Sequence, residues 1–367
     1  MVDSSEILAR FSETYTQARS KFLSACETAG AKVRPYSNPV RGPCNEALVT
    51  DVAWIGPGDA RRVLVSISAT HGVEGFCGSA AQTDWLARGG AGRLPVGMGA
   101  LIIHAINPYG FAWLRRVTED GVDLNRNHID FSQPLPTNPG YDELADALVP
   151  GEISGPVLEA AEAKLAAWRA KHGEQAYRLA RSGGQYTHPR GHCYGGAKPT
   201  WSRLATESII ADYALAGRDA IAVIDFHSGL GPFGYGEPIC SHEPDSPALK
   251  RARTWYGDSV TNPKLGTSSS VPLTGQSQGT WIRLLGDRVT FIVLEFGTYN
   301  LDSGLVAMRA DYWLHGRGAV DWNAAETRRI KAGIRKHFFP DTDDWKEMVL
   351  LRSRQVLRQA QAGLAQI

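Results

Sequence analysis

The sequence predicts an α/β fold: a mixed, largely parallel central sheet flanked by helices, with a helical insertion and a helical C-terminal tail. Three observations predict it. Short β-rich apolar runs alternate with helical segments along most of the chain, the pattern of βα units. Two of these runs end directly in His-bearing segments, and ligands of open α/β sheets gather at that carboxyl edge. The 367 residues are 43% hydrophobic and 21% charged, the balance of a globular protein with a large core rather than of a disordered chain.

Residues 4–29 read as a helix, with Ile7, Leu8, Phe11, Tyr15, Phe22 and Leu23 at helical spacing and Gly30 as its stop. Two strand-like runs follow, Ala47–Ile55 and Arg62–Ala69, joined by the turn segment GPGDA. A helix through SAAQTDWLA comes next, and then GALIIHA, residues 99–105, reads as a buried strand leading into Asn107-Pro108. Residues 128–200 differ in character. They hold the Pro-rich patch QPLPTNPG, a long amphipathic helix near 154–181 and the stretch GGQYTHPRGHCYGG, and read as an insertion or lid. Ser202–Leu215 is a helix, Ala220–Phe226 and Val289–Leu294 are strands, and Asn323–Gln366 is mostly helical. No repeat or clear linker divides the chain, so one catalytic domain spanning 1–367 is expected, with the 128–200 insertion.

Lys and Arg number 39 against 38 Asp and Glu, a formal charge of +1, which removes the footprint of a nucleic-acid binder. No run of 18 apolar residues exists to span a membrane. Five scattered cysteines without a CxxC pair argue against a disulfide framework, and the N-terminal stretch lacks the apolar core of a signal peptide. The expected compartment is the cytoplasm.

Four segments carry candidate chemistry. In His71-Gly72-Val73-Glu74 a histidine and a glutamate stand one helical turn apart, able to face one point. Both are common zinc ligands. In Asp225-Phe226-His227-Ser228-Gly229, His227 follows an apolar strand and could complete a His₂Glu site with an open fourth position. Glu295 ends the run VTFIVLEFGTY, and an ionisable group there is costly unless paired or functional. Beside a metal it would act as general base. The run Asn107 to Asn127 places Arg115, Arg116 and Arg126 near one strand end, where arginines recognise carboxylates or a developing oxyanion. Each segment also has an ordinary structural explanation: a core histidine, a salt-bridged glutamate, a surface arginine.

The order HGVE, NPYGF, RRVTEDGVDLNRN, DFHSG and VLEFGTY resembles the zinc carboxypeptidase family, the carboxypeptidase A superfamily. The resemblance covers residues 60–127 and 219–300, and GVDLNRN is its most specific piece. It implies a zinc exopeptidase-like fold with zinc as cofactor and His71, Glu74 and His227 as its ligands. It implies that Asp123 holds the ligand histidine in its tautomer, that Arg116 polarises the scissile carbonyl, that Asn125 and Arg126 bind the substrate's terminal carboxylate, and that Glu295 is the general base. Arg115 competes with Arg116 for its role. Two features depart from the family: its NPDG segment reads Asn107-Pro108-Tyr109-Gly110, and the span 257–294 has no tyrosine where digestive carboxypeptidases carry one. His188, His192, Tyr186 and Tyr194 of the insertion are read as a solvated loop with tyrosine packing rather than as cleft lining.

The residues GLGPFG, 229–234, fit GxGxxG after a strand, but Pro232 and YGEPIC point to a turn and another extended segment, not a dinucleotide site. No GxSxG elbow is present, and Cys77 reads as a buried structural thiol. The expected function is a zinc-dependent hydrolase cleaving an amide or peptide bond adjacent to a free carboxylate. The alternatives are an N-acyl-amino-acid deacylase, similar to the aspartoacylase and succinylglutamate desuccinylase branch, and a non-catalytic binding protein on the same fold. The expected partner is a small peptide or N-acyl amino acid, with no nucleic acid and no membrane.

Overall fold

A computed structural model describes residues 4–367. The first three residues of the N-terminal stretch lie outside the described part. Seven strands form one mixed sheet: β1 Lys32–Arg41, β2 Ala47–Ile55, β3 Arg62–Ile67, β4 Met98–His104, β5 Ala220–Phe233, β6 Gly236–Ile239 and β7 Val289–Gly297. Their order across the sheet is β1-β2-β4-β3-β5-β7-β6. The central four, β4-β3-β5-β7, run parallel, while β1, β2 and β6 add antiparallel borders. The parallel strands are buried on both faces, as continuous Val/Ile/Leu runs such as AIAVI and VLVSI require.

Helices cover both faces. One core layer packs Phe22, Phe76, Leu249, Trp345 and Leu357 against the sheet; the other packs Ile209, Ile210, Trp281 and Leu285 against it. The insertion forms its own small cluster around Tyr141, Leu144, Leu165 and Tyr177, which meets the main scaffold through Leu305.

Several elements differ from the sequence reading. The single helix over 4–29 is two, Ser4–Leu8 and Tyr15–Thr28, and the second starts where the Thr14 hydroxyl accepts from the Gln17 N–H. A helix N-cap of this kind ends the continuous reading. The long helix near 154–181 is likewise two, Gly155–His172 and Glu174–Ser182, broken at Gly173, whose φ of +85° suits glycine. The β3 strand stops at Ile67, because Ala69 turns to φ +61° before His71. β1 was not expected at all. Its two prolines, Pro35 and Pro39, and its exposed polar residues disguise it, and an edge strand tolerates both. The GLGPFG segment extends β5 and turns directly into β6, as its proline suggested, with no helix following. No helix of the described residues is long and apolar enough to cross a membrane.

Candidate metal and active site

The parallel strands deliver the candidate residues to one edge. β3 ends just before His71, which opens a short 3-10 turn, Gly72–Glu74, leading into the helix Gly75–Ala87. That turn is clamped against the loop after β4: the N–H groups of Gly72 and Val73 donate to the carbonyls of Arg116 and Arg115 at 3.3 and 2.9 Å. A Cβ at Gly72 would sit 1.9 Å from Gly110 C, so only glycine permits this approach. On the neighbouring strands, β5 and β7 pair His227 directly with Glu295, which places the two side by side at the carboxyl edge.

His71, Glu74 and His227 each offer a ligand atom within 4.8 Å of the others, and all three are buried. His71 Nδ1 lies 2.9 Å from Glu74 Oε1, His227 Nδ1 lies 3.1 Å from Glu74 Oε2, and the two Nδ1 atoms are 3.1 Å apart. Behind them, His71 Nε2 contacts Asp123 Oδ1 at 3.1 Å. With its Nε2–H donating to that carboxylate, His71 presents a lone pair at Nδ1. His227 Nε2 stands 3.1 Å from Asp225 Oδ2, off the hydrogen-bond line, and Asp225 is itself held by the Thr70 and Ser277 hydroxyls. Two imidazole nitrogens and a carboxylate converging from three segments, each imidazole backed by a carboxylate, form a donor set that fits a borderline-soft divalent cation such as zinc.

Glu295 reaches the same cavity. It is 6% exposed, and its Oε1 accepts from the Leu230 N–H at 3.0 Å. Burial, reinforced by the Glu74 charge, pushes its carboxyl well above the usual carboxylate range.

The arginines divide. Arg115 points away and pairs with buried Asp311 at 2.9 Å. Arg116 lies in the site, with Nη1 2.8 Å from Glu74 Oε1 and Nε 3.2 Å from Asp123 Oδ2. Asn125 Oδ1 accepts from the Ser277 N–H at 2.8 Å. Arg126 uses three of its five N–H groups on carbonyls, Nη1 to Asn125 at 2.7 Å and Nε and Nη2 to Ser182 at 3.3 and 2.8 Å. All eight candidates from the sequence (His71, Glu74, Arg116, Asp123, Asn125, Arg126, His227 and Glu295) therefore lie in or directly behind one cavity of about 110 Å³.

Other lining residues were not anticipated. Arg178, Arg181, Ser182 and Cys193 come from the insertion, and His337 and Phe338 come from Ala325–Phe338, the helix before the last. Asp225 was visible two residues before His227, on the same strand face, but its supporting place was not assigned. The solvated-loop reading of the insertion is corrected: Tyr186, His192 and Tyr194 are buried, and the Tyr186 hydroxyl donates to the Arg126 carbonyl at 2.7 Å. Only His188 is half-exposed, beside Asp142. Gly195 lets this stretch press against the Tyr186 ring and the Arg126 carbonyl, which Gly275 approaches from another loop, so the stretch is a packed wall. Cys77 is buried, its thiol donating to the Glu74 carbonyl at 3.1 Å, as a structural thiol would.

A family match runs from residue 11 to residue 352. The chain belongs to that family, described as "Protein of unknown function (DUF2817)". No curated protein matches. Among solved structures, carboxypeptidase A from Helicoverpa armigera superposes with a TM-score of 0.53 at 13% identity, over 96% of this chain and 74% of that one. A glutaminyl cyclase from Fimbriiglobus ruber gives 0.42 at 11% identity, over 98% and 92%. The succinylglutamate desuccinylase from Chromobacterium violaceum gives 0.37 at 13%, over 86% and 72%. The last two overlap too loosely to bear on fold or function. The first establishes the fold: this family member has a carboxypeptidase A-like fold.

Proposed function

We propose that the protein is a zinc-dependent hydrolase that cleaves an amide or peptide bond next to a free carboxylate. The observation that carries this reading is the convergence of His71, Glu74 and His227 beside Glu295 in one buried cavity. A zinc ion held by the three ligands supplies Lewis-acid polarisation and lowers the pKa of water. The chain's own residues do the rest. Asp123 keeps His71 in the Nε2-protonated tautomer. Glu295, with its proton affinity raised by burial, takes the proton from the attacking water and returns it to the leaving amine. Arg116 supplies positive charge where an oxyanion develops, and Arg126 with Asn125 orients the substrate carboxylate.

A deacylase of N-acyl amino acids is the second reading. It is favoured by the insertion, which walls the cavity with Arg178, Arg181, Ser182 and Cys193 and suits a small substrate better than a long peptide. Under either reading the chain acts as one catalytic unit, and its unpaired cysteines accord with the reducing cytoplasm.

Two measurements test the reading. Glu295→Gln is expected to keep about one zinc per chain yet lose roughly 10³-fold or more in kcat on a panel of dipeptides and N-acyl amino acids. Near-normal turnover would refute the assignment of Glu295. Chelation is expected to abolish activity and added zinc to restore it; activity that survives complete metal removal excludes the metal reading.

A further inference from the structure

Beyond the residues already given roles, the cavity carries an unexplained surplus of positive charge. Arg181 is 5% exposed, yet among the described residues no carboxylate lies within ion-pairing distance of it. Its Nε has no hydrogen-bond partner, its Nη1 makes one long 3.4 Å contact to the Leu301 carbonyl, and its guanidinium lies 5.7 Å from the Tyr177 ring centre. Arg178, one helical turn before it on Glu174–Ser182, lines the same cavity and donates only to the Ser269 carbonyl. Arg126 also spends its donors on carbonyls, two of them on Ser182, the residue next to Arg181. Arg116, by contrast, is neutralised by Glu74 and Asp123. Burying a guanidinium with an unused donor and no counter-ion is costly, and an arriving anion removes that cost.

We infer that Arg181, supported by Arg178, is the subsite for a second carboxylate of the substrate: the acidic side chain of the amino acid whose free carboxylate Arg126 orients. This rests on the hydrolase reading for its orientation of the substrate. The placement follows from adjacency. Arg126 and Arg181 are linked through Ser182, so the α-carboxylate and a side-chain carboxylate of one small amino acid can each meet a guanidinium. The 110 Å³ cavity leaves room for a ligand of that size. Aspartate- or glutamate-like leaving groups carry the two carboxylates this arrangement calls for, and a neutral side chain leaves Arg181 unpaired.

The test compares N-acetylglutamate with N-acetylglutamine, equal in size and different in charge, by calorimetry on the full-length zinc-loaded protein in the Glu295→Gln background. The acidic ligand is expected to bind about thirtyfold more tightly, the worth of a buried charge-assisted pair. Adding Arg181→Met is expected to cut the preference below about threefold, while Arg181→Lys keeps most of it, since a point charge remains. Equal binding of the two ligands, or a preference that survives Arg181→Met, overturns the subsite. N-succinylglycine is the third ligand. If it gains the same advantage with the same dependence on Arg181, the anion belongs to the acyl group and the side-chain assignment is wrong. Failure of the two readings is distinguishable. Hydrolysis is read separately on the protein with Glu295 in place. Turnover of neutral N-acyl amino acids with no acidic preference removes the subsite and leaves the hydrolase, whereas acidic preference in binding with no turnover of any ligand by that protein removes the hydrolase and leaves the subsite.

Discussion

Asp123 shows how much a single side chain can carry. Fully buried, it contacts His71 Nε2 at 3.1 Å, accepts from the Asn125 N–H at 3.0 Å and pairs with Arg116. One carboxylate thus orients a proposed ligand, shapes the turn that presents Asn125 and Arg126, and pairs with Arg116, the proposed oxyanion arginine. Asp123→Asn keeps the shape and removes the charge. Zinc affinity is expected to fall by about 10- to 100-fold, the usual effect of losing such a supporting contact. Competition with a chelator measures it, and unchanged affinity would mean that Asp123 only shapes the turn. The proposed ligands were legible at this scale because they sit in short motifs at strand ends, where chemistry and local structure coincide. His71 and Glu74 share one turn, and GVDLNRN packs Asp123 and the proposed anchor residues Asn125 and Arg126 into seven positions. Arg181, Arg178 and His337 were not legible. No motif surrounds them, and only the packing of distant segments carries them to the cavity.

Among elements, the strongest coupling is a buried charge network that the sequence did not display. Asp311, on the helix Leu301–Gly316, binds Arg115 from the loop after β4 and Lys331 from the helix Ala325–Phe338. The three segments also wall the site, through Arg116, Gly304, Met308 and His337. Asp311→Asn would leave two buried cations sharing no anion and is expected to destabilise the fold by about 3 kcal/mol or more. Urea unfolding checks this; a loss under about 1 kcal/mol would mean that water reaches the network. The elements themselves were legible where apolar period is strong, as in AIAVIDF and VTFIVL, and illegible where a local device interrupts it. Thr14 restarts a helix, Gly173 breaks one, and the prolines of β1 hide a strand. Periodicity reports burial, and caps and edge strands are defined by hydrogen bonds it does not see.

Across the whole molecule, buried histidines tie stability to pH. Burial depresses His104, His128 and His192 to about 3 each. His104 sits in the core, stacked on Phe22 and bonded to Ser79. Each is neutral when folded and binds a proton when unfolded below its free value near 6.5. Their contribution is present above that value and is lost as pH falls toward 3, at about 1.4 kcal/mol per pH unit for each histidine. Stability is therefore expected to decline steeply from pH 6.5 to pH 4, before most carboxylates protonate. Denaturation midpoints at pH 7, 6 and 5 measure the slope, and equal midpoints would show that these rings titrate normally. The fold class was legible at this scale from alternating strands and helices. The way the insertion closes over the site was not, because its tyrosines and histidines read as polar loop until their partners across the cavity are known.

The borders of the sheet have one more consequence. On one side stands β1, with Pro35 and Pro39; on the other stands the four-residue β6, whose outer edge is already taken by Thr261, bonded to the Pro238 carbonyl at 3.1 Å and the Cys240 N–H at 2.9 Å. An open strand is a template for a second chain, and proline withdraws the N–H groups such a chain would grasp. Both rims of this sheet are thereby blunted against sticking to copies of themselves. The seven-stranded sheet thus offers little open edge for strand pairing between copies, without a closed barrel to hide its margins.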